Sequence, residues 1–305
     1  MNSSQSEQGR QLAILKGPVE ATIAQLPAEQ KFQLIYCDPP FYSKKVQVAD
    51  RAAFSDRWAS LNEYLQGMAD LVRAMAPRVA PNGYFALHCD WHASHYLKVL
   101  GDRIFGYENF RNEIVWHYKG RRQPAVMRVN SKHDVILVWA GSTLSRMAPL
   151  ADEVNREAYI KMKRKPVFTD EDGREWIWGH NGRGRAQAYR IFIDDVVERG
   201  LPIDDVWEIP IIPIGSRERV GFPTQKPLAL LLRLVELLTS PGDWIADFMA
   251  GSGTLGEAGL KLDRNVVLGD RNPEAIKVME MRLSRYADQL HFEPADLPSL
   301  PSADH

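Results

Sequence analysis

The sequence holds two cysteines in 305 residues, too few for a disulfide framework or for a metal site built from thiolates. Cys37 and Cys89 each lie in an apolar run, where reduced thiols buried in the core of a cytoplasmic protein are expected. Nowhere do eighteen apolar residues follow one another, and the opening MNSSQSEQGR has no apolar signal core, so neither a membrane span nor a secretory leader is expected. Charge is balanced: 38 Lys and Arg against 39 Asp and Glu give a formal net charge of −1, so any surface for a polyanion must be local. No internal repeat or low-complexity tract is evident. What remains is an ordinary globular composition, 45 % hydrophobic and 25 % charged, long enough for one large domain with an insertion.

The first half alternates strands and helices. Gln11 to Leu15 is a short apolar run closed by Gly17-Pro18, Val19 to Leu26 has helical character, and Phe32 to Tyr36 reads as a buried strand, a β-α-β start. That strand runs into Asp38-Pro39-Pro40-Phe41. Two prolines without N–H groups end the ladder and stiffen the turn, so the Asp38 carboxylate leaves the sheet at the strand end. The corner presents acceptors beside a ring: Asp38 and a proline carbonyl can take the protons of a planar heterocycle's NH2 while Phe41 stacks on its face. Taken alone, the tetrapeptide reads equally as a strand followed by a rigid loop. Lys44 and Lys45 follow in an aperiodic stretch with the composition of a flap, suited to phosphates. Ser60 to Glu63 is a capping box, after which Leu61, Tyr64, Leu65, Met68, Leu71, Val72 and Met75 share a helical face until Pro77. Tyr84 to Cys89 is a second buried strand, which a right-handed crossover lays beside the first. His88, Cys89, Asp90 and His92 crowd together like metal ligands, but alternation sends His88 and Cys89 to opposite faces; no metal is assigned, and Asp90 and Trp91 are expected to line a pocket. A helix over His95 to Phe105 precedes strands at Asn112–Tyr118 and Asp134–Trp139, with Arg121 and Arg122 in the basic turn between them.

From about Gly141 to Leu201 the alternation is lost. Residues 117 to 190 carry about seven net positive charges, with Lys163-Arg164-Lys165 and Arg183 and Arg185 interleaved among Trp and Gly. Such a stretch can meet phosphates and base edges, and it can also be a solvated face. Thr224-Gln225-Lys226-Pro227 then precedes a helix over Leu228 to Leu238 and a strand over Asp243 to Phe248. Met249 to Gly256 follows as a glycine-rich turn into a helix, and the next strand ends at Asp270. Glycines there let a ligand lie against bare backbone, and an acid at the end of the following strand can accept both hydroxyls of a ribose. A nicotinamide-dependent oxidoreductase and an S-adenosylmethionine-dependent transferase both fit, since their cofactors share the adenosine that Asp270 would hold. No strands follow Asp270 to complete an oxidoreductase, so the missing strands are those ending at Asp38 and Cys89, and the sheet is permuted with its cofactor half last. Gly-Ser-Gly-Thr lacks the Gly-Lys-Ser/Thr of a P-loop.

These motifs, in this order, resemble the β-group of bacterial DNA amino-methyltransferases, the N4/N6 DNA methylase family: Asp38 to Phe41, His88 to Trp91, Asn112 to Trp116, a variable basic insertion, Thr224 to Pro227, and Asp247 to Thr254. The resemblance covers residues 11 to 140 and 205 to 286. It implies an α/β fold, a permuted Rossmann-like and mostly parallel sheet with helices on both faces, plus a loop-rich DNA-recognition insertion. The expected parts are a catalytic half over 1–140, target recognition over 141–205, a cofactor half over 206–286 and a loose tail over 287–305. Asp247, Met249, Gly251, Gly253, Thr254 and Asp270, with Lys226, are implied to bind S-adenosylmethionine. Asp38, Pro39, Pro40 and Phe41 are implied to act on a flipped-out base of double-stranded DNA, with adenine N6 favoured by Asp38 and cytosine N4 as the alternative. A catalytically silent DNA-binding subunit is the reading from another class. The chain departs from the group at Met249, where phenylalanine is usual, and at Gly17-Pro18, where Gly-Asp is frequent. Neither a homodimer, which relatives often form, nor a restriction partner is written in the residues.

Overall fold

The computed structural model describes residues 10–43, 46–49, 52–56, 58–120, 127, 129–180 and 188–291. Two units are distinguished, the first made of Met1–Ala148 with Asp205–His305 and the second of Pro149–Asp204. The first unit begins with β1 (Arg10–Lys16), α1 (Val19–Ala24), β2 (Phe32–Cys37), a hairpin of β3 (Val46–Ala49) and β4 (Ala52–Ser55), and α2 (Leu61–Met75). It continues with β5 (Val79–Cys89), α3 (Ser94–Phe105), β6 (Phe110–His117) and β7 (His133–Ala140). The second unit holds β8 (Ala151–Asp152), α4 (Arg156–Lys163), β9 (Phe168–Thr169), β10 (Glu175–His180), β11 (Ala188–Phe192), α5 (Ile193–Arg199) and β12 (Leu201–Pro202). The first unit resumes with β13 (Val206–Glu208), α6 (Leu228–Leu238), β14 (Trp244–Asp247), α7 (Thr254–Lys261), β15 (Asn265–Asp270), α8 (Pro273–Leu283) and β16 (Leu290–His291).

A nine-stranded sheet in the order β13-β6-β7-β5-β2-β14-β15-β1-β16 organises the first unit. Only β7 runs against its neighbours; every other adjacent pair is parallel. The permutation expected from the motif order is visible where Leu34 and Ile35 of β2 lie beside Ile245 and Ala246 of β14, more than two hundred residues later. The opening β-α-β does not join neighbours: β1 pairs with β15, and β14 and β15 lie between β1 and β2. Because β2, β14 and β15 are parallel and adjacent, their C-terminal ends, carrying Asp38, Asp247 and Asp270, meet at one edge. In open α/β sheets that edge is where ligands gather.

The core follows from the apolar periods. In α2 the Ser60 hydroxyl accepts from the Glu63 N–H at 3.1 Å, and the Glu63 carboxylate accepts from the Ala59 N–H at 2.7 Å, a reciprocal cap. The helix buries Tyr64, Met68, Val72 and Met75 in the cluster that contains Phe32, Ile35, Phe85, Leu87 and Trp139. Cys37 and Cys89 are buried free thiols in that cluster, as their apolar surroundings require. Helix α3 approaches β7 closely: a Cβ added at Gly101 would lie 2.2 Å from Trp139, whose indole N–H donates to Asp102 at 3.0 Å.

The second unit has more order than the lost alternation suggested. Strands β11, β10 and β9 form an antiparallel sheet, and Tyr159, Ile177, Ile193 and Val196 close a small core between it and its helices α4 and α5. The strands are short and the helices only 8 and 7 residues long, which is why their periods do not stand out in the sequence.

Candidate active site

The turn after β2 meets the turn after β14 in one cavity of about 700 Å³, lined among others by Asp38, Pro40, Lys226, Asp247, Met249, Gly251, Thr254 and Asp270. That volume lies in the range of a small-molecule site. Most of the residues expected on either side of the reaction are therefore together. Gly253 belongs to the same loop without lining the cavity, and Phe41 does not line it either. Asp90 and Trp91, expected at the pocket, are not in its wall. Asp90 instead accepts from the backbone and ring of His92, and its carbonyl receives the Ser94 N–H at the start of α3.

At the glycine loop the backbone does what only glycine does cheaply. Gly251 and Gly253 have φ of 50° and 71°, and a Cβ on Gly251 would come within 2.9 Å of the Phe222 ring. The loop is held from below by a buried ion pair. Arg282 contacts Glu257 at 2.6 Å and donates to the Ser252 carbonyl at 3.1 Å and to the Thr254 hydroxyl at 2.9 Å. Arg282 and Glu257, which sit in α8 and α7, carried no signal in the sequence beyond helical spacing.

Two acids sit at the strand ends. Asp247 is buried, accepts the Met249 N–H at 2.9 Å, and has its pKa pushed well up by burial, with Asp38 and Asp270 adding to it against that hydrogen bond. Asp270 accepts from the N–H groups of Gly251 at 2.9 Å and Asn272 at 2.8 Å. Burial still raises its carboxyl above the ordinary value. Each of its oxygens retains a lone pair for a ribose hydroxyl.

Lys226, implied by the resemblance to bind the cofactor, lines the shared cavity and also reaches the acid corner. Its ammonium lies 2.5 Å from Asp38 Oδ2 and 5.0 Å from the centroid of the Phe41 ring, while its backbone carbonyl accepts from Thr254 at 3.3 Å. One residue thus touches the acid corner with its side chain and the glycine loop with its backbone. The other Asp38 oxygen, Oδ1, is buried and has no hydrogen-bond partner among the described residues. Loop residues fix the segment: Gln225 donates to the Glu218 carbonyl at 2.7 Å and accepts from the Val220 N–H at 3.0 Å, and Glu218 caps the Leu228 N–H at 2.6 Å. Phe41 stacks on His88 with centroids 5.5 Å apart and planes at 24°, so one face of the ring expected to meet a base is already covered.

Of the basic candidates, Lys163, Arg164 and Lys165 lie exposed at the C-terminal end of α4 in the second unit. Lys163 is 5.5 Å from the Tyr159 ring, Arg164 is the left-handed cap, and Lys165 donates to the Trp178 carbonyl at 2.7 Å. On β10 alternation puts Ile177 in the core and Trp176 and Trp178 on the other face. There Trp176 meets Phe168 at 4.8 Å, Trp178 at 4.9 Å and the Arg190 guanidinium at 4.7 Å. Lys44, Lys45, Arg121, Arg122, Arg183 and Arg185 lie outside the described residues.

A permuted doubly wound sheet with an acid corner and a nucleoside-type glycine loop opening into one cavity defines a Rossmann-like methyltransferase. A family model for the N6/N4 DNA methylases matches residues 32–281, and the chain belongs to that family. The family is S-adenosylmethionine-dependent. The chain is 37 % identical over 285 residues to DNA adenine methyltransferase YhdJ of Escherichia coli strain K12, covering 93 % of this chain and 85 % of the relative. It is 35 % identical over 256 residues to the type II methyltransferase M.HpaI of Haemophilus parainfluenzae, covering 84 % and 69 %. A third relative, the type II methyltransferase M2.MboI of Moraxella bovis, is matched at 37 % over 78 residues, 26 % of this chain and 29 % of that protein. Among solved structures, the M1.HpyAVI–SAM complex aligns with a TM-score of 0.54 at 18 % identity, over 89 % of this chain and 98 % of that one. The cytosine-N4-specific PvuII DNA methyltransferase aligns at 0.59 and 13 % identity, over 90 % and 86 %. At those identities the likeness concerns the fold.

Proposed function

We propose that this chain is a DNA methyltransferase that moves a methyl group from S-adenosylmethionine to the exocyclic N6 of a flipped-out adenine in the cytoplasm. The observation that carries the reading is the single cavity shared by Asp38 and the Asp247 to Asp270 loop. Adenine is favoured by the name of the 37 %-identical E. coli relative and by Asp, not Ser, at the first position of the Asp38 to Phe41 turn.

The residues fit the cofactor. Asp270 would hold the ribose hydroxyls, Asp247 and Met249 would line the site beside them, and Gly251 offers bare backbone. S-adenosylmethionine supplies a methyl group already activated on a positively charged sulfur. The chain's task is then orientation and charge. Lys226 engages Asp38 Oδ2, so the direction of Oδ1 is set before a base arrives. That unpartnered oxygen accepts an amino proton and stabilises the positive charge growing on the nitrogen. A base inside a duplex cannot reach such a corner, so the nucleotide must leave the stack. The Trp176, Trp178 and Arg190 face of the second unit suits contacts to bases and phosphates and supports target recognition there.

Asp38→Ala should abolish transfer of labelled methyl to DNA while S-adenosylmethionine affinity stays within about threefold, because the cofactor groups are untouched. Transfer within tenfold of wild type would remove Asp38 from the chemistry. Absence of transfer by the wild-type chain on any genomic DNA would favour the silent DNA-binding subunit.

A further inference from the structure

Behind the turn lies a buried polar cluster that the steps above do not use. His88, on β5, is fully buried. Its Nδ1 is 2.7 Å from the Tyr36 hydroxyl, and its Nε2 is 3.5 Å from Asp134 Oδ2, longer than a normal hydrogen bond. Asp134 also accepts from the Tyr118 hydroxyl at 3.2 Å. Three rings frame the imidazole: Phe41 is stacked on it, while Trp116 at 5.7 Å and Tyr36 at 6.0 Å stand edge-on.

Burial, then Asp38 and Asp247, push the Tyr36 hydroxyl far up, so it keeps its proton and can donate it to Nδ1. In the tautomer in which Nδ1 accepts, the ring proton is on Nε2, on the side of Asp134. Burial alone would raise the Asp134 carboxyl, but His88, Lys226 and the Tyr118 hydroxyl outweigh it and hold it below its ordinary value. Tyr118, raised chiefly by burial, is likewise a donor. The Tyr36 contact and the three rings hold the imidazole in one plane. Nε2 has no hydrogen-bond partner among the described residues, so the ring is held by the Tyr36 bond and by the rings packed around it, with the Asp134 carboxylate as a nearby charge. What the imidazole touches toward the site is Phe41, the last residue of the catalytic turn.

We infer that His88 is a positioning residue of this enzyme: held by the Tyr36 hydroxyl and the rings around it, it sets the plane of Phe41 and, through it, the Asp38 to Phe41 turn against the target base. The inference rests on the methyl-transfer reading and deepens it. His88 touches no reacting atom, so its effect must pass through Phe41.

The test is a double-mutant cycle in the full chain, measuring kcat, KM for DNA and cofactor affinity with labelled S-adenosylmethionine. His88→Ala should lower kcat tenfold or more with cofactor affinity within twofold of wild type, and in a Phe41→Leu background it should lower kcat less than twofold further. Tyr36→Phe, which deletes one oxygen and keeps the fold if His88→Ala does not, should lower kcat at least threefold alone and have no further effect beside Phe41→Leu. Multiplicative losses in the cycle, or an unchanged kcat for either single variant, would overturn the inference. Wild-type activity is the separate control: its absence refutes the methyl-transfer reading and this inference with it, whereas wild-type activity with an additive cycle refutes the inference alone.

Discussion

Asp270 links a single carboxylate to a measurable proton. Burial raises its pKa, and the N–H groups of Gly251 and Asn272 offset only part of that rise. Between the ordinary aspartate value of about 3.9 and the raised one, the folded chain binds a proton that the unfolded chain does not, so the free protein loses stability as pH rises through that window. A ribose donating two hydroxyls favours the ionised form. Cofactor binding should therefore release protons in that window, and affinity should fall as pH drops through the raised value. Calorimetry in buffers of different ionisation heat reads this directly; proton uptake would contradict the assignment. Asp270→Ala should weaken cofactor binding by about 1–3 kcal/mol and remove the proton release. The pairing of Lys226 with Asp38 belongs to the same scale and was hidden in the sequence, since 188 residues separate the partners.

The elements differ in how much of them the sequence shows. Helix α2 is written in its capping box and apolar face, and the strands ending at Asp38, Asp247 and Asp270 in their apolar runs and the turns that close them. Each of these signals is local. What stayed hidden depends on pairing at long range: the reversal of β7, the neighbour of β1, and the approach of α3 to β7. Glycine is a poor helix former, yet α3 needs one at Gly101, because Trp139 occupies the space of its Cβ. Gly101→Ala should destabilise the chain by about 1–3 kcal/mol despite better helix propensity, as overpacking does, and denaturant melts will show it. A variant as stable as wild type would mean the helix shifts freely. The second unit was obscure because its elements are short and its core rests on four buried side chains. Its basic run is legible but not committed to phosphates, since Lys165 already serves Trp178. Changing Lys163, Arg164 and Lys165 together to Ala should weaken DNA binding and flatten its salt slope by about 1–2 units. An unchanged slope returns the run to a solvated face.

At the scale of the whole molecule, the permuted sheet brings the acid corner from the first third of the chain to the glycine loop from the last third. Both then open into one cavity. That arrangement suits any conjugated amino group, and the choice between adenine and cytosine rests on Asp38 and on the named relatives. The most direct measurement is the identity of the methylated base. DNA incubated with the purified chain and S-adenosylmethionine, digested to nucleosides and examined by mass spectrometry, should contain N6-methyladenine, and none when Asp38 is Ala. N4-methylcytosine alone would contradict the adenine assignment, and no methylated nucleoside at all would contradict the enzyme.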